Sequence, residues 1–180
     1  MWCRKRNVLF AAGALLLAMP LALSAARQWD ELTGIARQVR HELVMLPYYG
    51  VFDNLQFQVD GSTVTLKGQV TWPTLKTSAE RVVKGIEGVD LVVNEIQVLP
   101  VSSNDDRIRT AVYQALYYYP SFTRYSMRAV PSIHIIVENG DVTLVGVVDS
   151  KADKDLAFIR ANGVPGVFSV TNDLVVEQQG

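Results

Sequence analysis

The sequence predicts an α+β protein built from two tandem α-β-β-α-β modules, each a three-stranded mixed sheet backed by two helices. Three observations lead there. Val59 to Thr71 (VDGSTVTLKGQVT) and Val137 to Ser150 (VENGDVTLVGVVDS) are two versions of one stretch, each a pair of apolar runs around a two-residue break. Each version lies between two segments whose apolar residues recur at helical spacing, and a further strand pattern follows. The 180 residues, 49% hydrophobic and 19% charged, suffice for two small globular units.

The first helix is expected where Ile35, Val39 and Leu43 recur at intervals of four, with Ala36 and Leu46 widening the face. Asp30 or Thr33 is the expected cap, and Pro47 ends the helix. Leu55, Phe57 and Val59 then alternate with Gln56, Gln58 and Asp60, the period of a half-buried strand. Gly61-Ser62 puts glycine first, as a type II′ hairpin requires, and Val64, Leu66, Gly68 and Val70 form the returning strand. Pro73 suits a helix start. Leu75, Ala79, Val82, Val83 and Ile86 supply the buried stripe, Gly85 the stop, and Val92 to Val98 a third strand.

The second module repeats the plan. Asn104 or Asp105 is expected to cap a helix whose Ile108, Val112, Leu116 and Pro120 answer Ile35, Val39, Leu43 and Pro47 at one constant offset. A five-residue insertion follows, after which Val142, Leu144, Gly146, Val148, Ala157, Gly163, Gly166, Val170 and Asn172 keep step with the first copy. Asn139-Gly140 supplies the two positive φ angles of a type I′ hairpin. The hairpin makes the first strand antiparallel to its neighbour, and the intervening helix makes the second and third parallel. The simplest sheet places the first strand between them. Because a module of roughly 65 residues buries little surface, the two should pack on each other.

The expected boundaries are 1–26 for a signal peptide, 30–99 and 105–177 for the modules, and 100–104 for a short linker. Arg4, Lys5 and Arg6 precede an uncharged apolar run, and Ser24-Ala25-Ala26 offers small residues for cleavage. The expected destination is the periplasm. The apolar run from Val8 to Ala26 is also long enough to stay as an inner-membrane anchor. Cys3 lies ahead of that run, so a lipidated cysteine at the cleavage point is not expected. Without the leader, 14 Lys+Arg face 18 Asp+Glu, a net charge of −4, which disfavours polyanion binding overall.

The pattern V-x-N/D-G-x-V-T-L-x-G-x-V, followed by G-V-x-x-V-x-N-x-L/I-x-V, resembles the BON domain, named for bacterial osmotic-stress and nodulation proteins. It is carried by Val137, Asn139, Gly140, Val142, Thr143, Leu144, Gly146 and Val148 with Gly166, Val167, Val170, Asn172, Leu174 and Val176. The first copy carries Val59, Gly61, Val64, Thr65, Leu66, Gly68, Val70, Gly88, Val89, Val92, Asn94, Ile96 and Val98. The resemblance implies an exported envelope protein that associates with phospholipid or supports envelope integrity under stress. It brings no catalytic residues.

The residues themselves agree. No G-x-S-x-G, H-E-x-x-H or P-loop occurs, and His41 and His134 have no ligand partner at metal spacing, so no enzyme activity, metal or cofactor is expected. Gly85-Ile86-Glu87-Gly88 and Gly163-Val164-Pro165-Gly166 fit a nucleic-acid-clamping G-x-x-G loop only formally, since their middle residues are not basic. Gly68 and Gly146 are expected to admit a close helix or a bulge, and Asn94 and Asn172 to satisfy backbone near the Gly88 and Gly166 turns.

The insertion carries the candidate site. Tyr117, Tyr118, Tyr119, Phe122, Arg124, Tyr125, Met127 and Arg128 put aromatics, a methionine and two arginines together without an acid. Such a strip suits the surface of an anionic phospholipid membrane, each arginine adding about 1 kcal/mol. The same aromatics can instead pack over the sheet or fill the seam between modules. A protein-interaction alternative places Tyr49, Phe52, Tyr118 and Phe122 on one surface for another envelope protein or an unfolded client.

Overall fold

The computed structural model describes residues 34–127 and 130–177. The expected leader, the expected caps Asp30 and Thr33, and Arg128 lie outside the described residues. Module 1 contains α1 (residues 34–44), β1 (Asn54–Asp60), β2 (Thr63–Val70), α2 (Pro73–Lys84), β3 (Leu91–Asn94) and β4 (Gln97–Val98). Module 2 contains α3 (Ser103–Tyr117), a 3-10 turn (Pro120–Phe122), α4 (Thr123–Ser126), β5 (Ile133–Glu138), β6 (Asp141–Val148), α5 (Lys151–Asn162) and β7 (Ser169–Val176).

Both units are mixed sheets, but the strand order differs from the expected one. β2 and β6 are central, with β1 and β5 antiparallel on one side and β3 and β7 parallel on the other. Only two residues separate β2 from α2, so the helix crosses a single strand spacing and sets β3 directly beside β2. The central position shows in the burial of Val64, Leu66 and Val70 and of Val142, Leu144 and Val148. The third strand of module 1 is interrupted after Asn94, and β4 resumes the pairing at Gln69 and Val70; β7 runs unbroken.

The turns have the chemistry their residues dictate. Asn139 (φ 55°) and Gly140 (φ 87°) are both left-handed, while in the first hairpin Gly61 (φ 58°) is left-handed and Ser62 is not. Gly68 and Gly146 answer a demand from the neighbouring strand, not from a helix. At φ +111° and +133°, a Cβ on either would stand 2.0 Å from the carbonyl oxygen of Asn54 or Ser132. Asn94 and Asn172 act away from the expected turns. Each donates to a carbonyl in the adjacent helix, Lys76 at 3.1 Å or Lys154 at 2.8 Å, and accepts from the backbone N–H two residues on.

The cap of α3 is Ser102, whose hydroxyl accepts from the Asp105 N–H, and neither Asn104 nor Asp105 has that role. Asp105 is 1% exposed and reaches across the module. Its carboxylate accepts from the N–H groups of Asn139 at 3.0 Å and Gly140 at 2.9 Å, so α3 holds the second hairpin by its turn.

Each module has its own core. In module 1, Ile35, Val39, Leu43, Leu75, Ala79 and Val83 of the helices cover the central strand. In module 2 the same layering is extended by Tyr117, Phe122 and Tyr125, and Val51 and Phe52 of module 1 pack against it. The modules therefore pack on each other, as the small size of each requires. At the seam Ile135 donates its N–H to the Val51 carbonyl at 2.8 Å, His134 stacks on Tyr49 with ring centroids 5.6 Å apart, and Phe52 meets Tyr113 edge-on.

Candidate interaction surface

Pro120 cannot continue α3, and its fixed φ starts the 3-10 turn that leads into α4. The turn folds the insertion back on the sheet. Tyr117 is buried and donates its hydroxyl to the Ile133 carbonyl at 2.6 Å, an arrangement in which burial raises the phenol's pKa. Phe122 is fully buried. Tyr125 is buried too, and its hydroxyl accepts from the Asp149 N–H at 2.9 Å and donates to Asp153 at 3.1 Å; burial is the main cause of its raised pKa.

Arg124 is paired on one side by Nε with Asp149 at 2.8 Å and by Nη2 with Asp153 at 2.7 Å, and it lies over the Tyr125 ring. The bond to the Tyr125 hydroxyl, then the two carboxylates, raises its already high pKa. Ser150, the cap of α5, donates its hydroxyl to the same Asp153 oxygen at 2.6 Å. Tyr119 is half-buried with Arg160 over its ring at 4.7 Å, and Arg160 donates to the Ala115 carbonyl.

Module 1 does the same work with different atoms. Where Tyr125 accepts from Asp149 N–H, the buried Asp53 accepts from the N–H of Thr71 at 2.7 Å and its hydroxyl at 2.8 Å. The insertion thus replaces a carboxylate by a phenol at the end of the central strand.

The expected continuous aromatic and basic strip is therefore divided. Phe122 and Tyr125 face the core, Tyr119 is covered on one face, and Arg124 is paired with two acids remote in sequence. Among the described residues of the strip, Tyr118 and Met127 are the most exposed, at 74% and 85%. The four-residue interaction surface is not formed either, since Tyr49 and Phe52 are held in the seam and Phe122 is in the core. Burial pushes the Tyr49 phenol up to about 12. Burial also holds the His134 imidazole below its ordinary range, against the nearby Gly50 carbonyl and Asp53.

Sequence reading missed Asp53 and the Asp149–Asp153 pair, and it gave Asp105 a capping role in place of its hold on the hairpin. Ser150-x-x-Asp153 is a recognisable capping pattern, but the bonds to Arg124 and Tyr125 cross more than twenty positions and carry no local sign.

Beside the seam, a groove of about 850 Å³ runs between the modules, bounded by Leu55 and Phe57 on one wall and by Pro131, His134 and Val147 on the other, with Arg40 at its side. Among the described residues no group of three or more His, Cys, Asp or Glu side chains is placed to hold a metal ion, and no helix is long and apolar enough to cross a membrane.

The model of the BON domain matches residues 31–100 and 104–178. The chain belongs to the BON domain family. Two BON domains in tandem account for the repeat, for the glycines at the strand crossings and for the asparagines that tie each third strand to its helix. A relative, osmotically-inducible protein Y of Escherichia coli (strain K12), is 33% identical over 129 residues, a match covering 67% of this chain and 61% of that protein. The chain thus spans about three-fifths of the length of the curated relative it matches. Two structures of CdsD, a structural protein of the type III secretion system of Chlamydia trachomatis, one of its C-terminal domain, align with these BON domains at 12% and 13% identity. They cover 78% and 81% of this chain and 96% and 94% of theirs, each with a TM-score of 0.28, too low to carry any argument.

Proposed function

We propose that this chain is an exported, non-enzymatic protein of the bacterial envelope that binds anionic phospholipid surfaces and supports envelope integrity under osmotic stress. The observation that carries the reading is the exposure of Tyr118, at the end of α3, and of Met127, on the insertion that Phe122 and Tyr125 clamp to the core. An amphipathic ring and a flexible thioether held on a rigid base lose little freedom on entering a headgroup layer. Arg124, half-exposed but paired with two acids, contributes less than a free cation would. The relative's name supports the link to osmotic stress, and the leader motif supports a periplasmic location.

The test is sedimentation of the purified protein with vesicles of phosphatidylglycerol and phosphatidylethanolamine, against phosphatidylcholine alone. Tyr118→Ser with Met127→Ser should reduce binding to anionic vesicles, and Arg124→Glu with Arg128→Glu should reduce it most at low salt. Folded variants that sediment like the parent would remove the insertion from the account.

A further inference from the structure

The two sheets treat their outer edges differently. In a hairpin closed by two residues, the flanking pair exchanges both ladder bonds, so every second residue along the edge strand turns its N–H and C=O outward. In β5 these are Ile133, Ile135 and Val137, and each has one of its two outward groups bonded. Tyr117 donates to the Ile133 carbonyl, Arg109 donates to the Val137 carbonyl at 2.6 Å, and Ile135 gives its N–H to Val51. In β1 the outward residues are Leu55, Phe57 and Val59. Leu55 meets the Tyr49 hydroxyl; among the described residues nothing bonds the outward groups of Phe57 and Val59.

The reason is in the repeat. At the helical offset that pairs Ile108 with Ile35, the counterparts of Arg109 and Tyr117 are Ala36 and Val44, which have no side-chain donor. β1, Asn-Leu-Gln-Phe-Gln-Val-Asp, also has no lysine or proline of the kind that protects an edge from pairing. Its apolar side chains are half-buried on one face and its glutamines exposed on the other. The open edge borders the groove between the modules, whose far wall is module 2 and whose one permanently charged lining side chain among the described residues is Arg40.

We infer that the β1 edge takes an added strand from an extended polypeptide, alternating apolar and polar side chains and carrying an acidic residue at the Arg40 end. Backbone bonds to Phe57 and Val59 supply the attachment, and the face shared by Leu55, Phe57 and Val59 receives the apolar side chains. The groove is bounded on its far side by Pro131, His134 and Val147 of module 2. Neither Tyr118 nor Met127 lines this groove.

The probe is a fluorophore-labelled heptapeptide alternating valine and threonine and ending in glutamate, followed by anisotropy with the purified full chain. Phe57→Pro deletes an outward N–H without touching the ladder to β2, and should weaken binding about tenfold, the effect of losing one backbone bond. Arg40→Ala should weaken it and flatten its salt dependence. The heptapeptide methylated on alternate backbone nitrogens should lose affinity for the unaltered protein, a reading that holds even where Phe57→Pro does not fold. No binding by the unaltered protein, or equal binding by a folded Phe57→Pro chain and by the methylated peptide, overturns the inference. So does a concentration-dependent dimer that Phe57→Pro dissolves in the absence of peptide binding, since the edge would then belong to a second copy. Vesicle sedimentation should be unchanged by Phe57→Pro, so failure here and failure of the phospholipid reading are told apart.

Discussion

Asp105→Ala is the substitution that best separates a helix cap from a tie between α3 and the hairpin of module 2. The carboxylate receives the Gly140 N–H, which is buried, and the Asn139 N–H, which is partly so. Removing it leaves the Gly140 donor without water or partner, at about 1–3 kcal/mol, and forfeits about 1 kcal/mol at Asn139, where water can substitute. A loss of about 3 kcal/mol is expected, a large share of the stability of a domain this size. With a urea dependence of about 1.5 kcal/mol per molar, the midpoint should fall by about 2 M in circular dichroism. Ser102→Ala, the true cap, should cost about 1 kcal/mol, and Asn104→Ala on the exposed side less than about 0.5 kcal/mol. Equal small losses for Asp105→Ala and Asn104→Ala would refute the tie and return Asp105 to a helix-end role.

Gly68→Ala and Gly146→Ala should each destabilise by about 3 kcal/mol or more, because a Cβ 2.0 Å from a neighbouring carbonyl oxygen forces the paired strands apart; a stable, unshifted Gly146→Ala by urea unfolding would contradict the close crossing. Tyr125→Phe removes the acceptor for Asp149 N–H and the donor to Asp153, and should cost about 2 kcal/mol by the same measurement. Arg124→Ala, half-exposed, should cost less, under about 1 kcal/mol, and the reverse order would argue that the ion pairs and not the phenol hold α4. His134 titrates lower in the fold than in the unfolded chain because the seam buries it, so the unfolded state takes up the proton first. Stability is then full above about pH 6.5 and falls as the pH drops below it; the urea midpoint should decrease from about pH 7.5 to about pH 5.5, and His134→Gln should flatten that dependence.

The alternation of Leu55, Phe57 and Val59, the glycine and asparagine breaks and the four-residue spacing of Ile35, Val39 and Leu43 were legible because each is a local rule with its own period. The offset between copies then made one module vouch for the other. The strand order was not legible, since pairing direction follows from the connection type while the choice of neighbour depends on how far a short crossover can reach. Nor was the fate of the insertion. Arg124 reads as a free cation in its acid-free neighbourhood, yet two acids more than twenty positions away stand beside it in the fold.

The sequence by itself determined the two modules, their element order and their turn types, because those depend on backbone preferences and on the spacing of apolar residues along a few turns or strands. Only the tertiary structure decided which aromatics of the insertion reach water, which carboxylates hold which turns, and that one sheet edge is tied at each outward residue while most of its repeat is open. Those outcomes depend on groups brought together from distant parts of the chain, where burial and hydrogen-bond geometry, and not local pattern, assign each side chain its work.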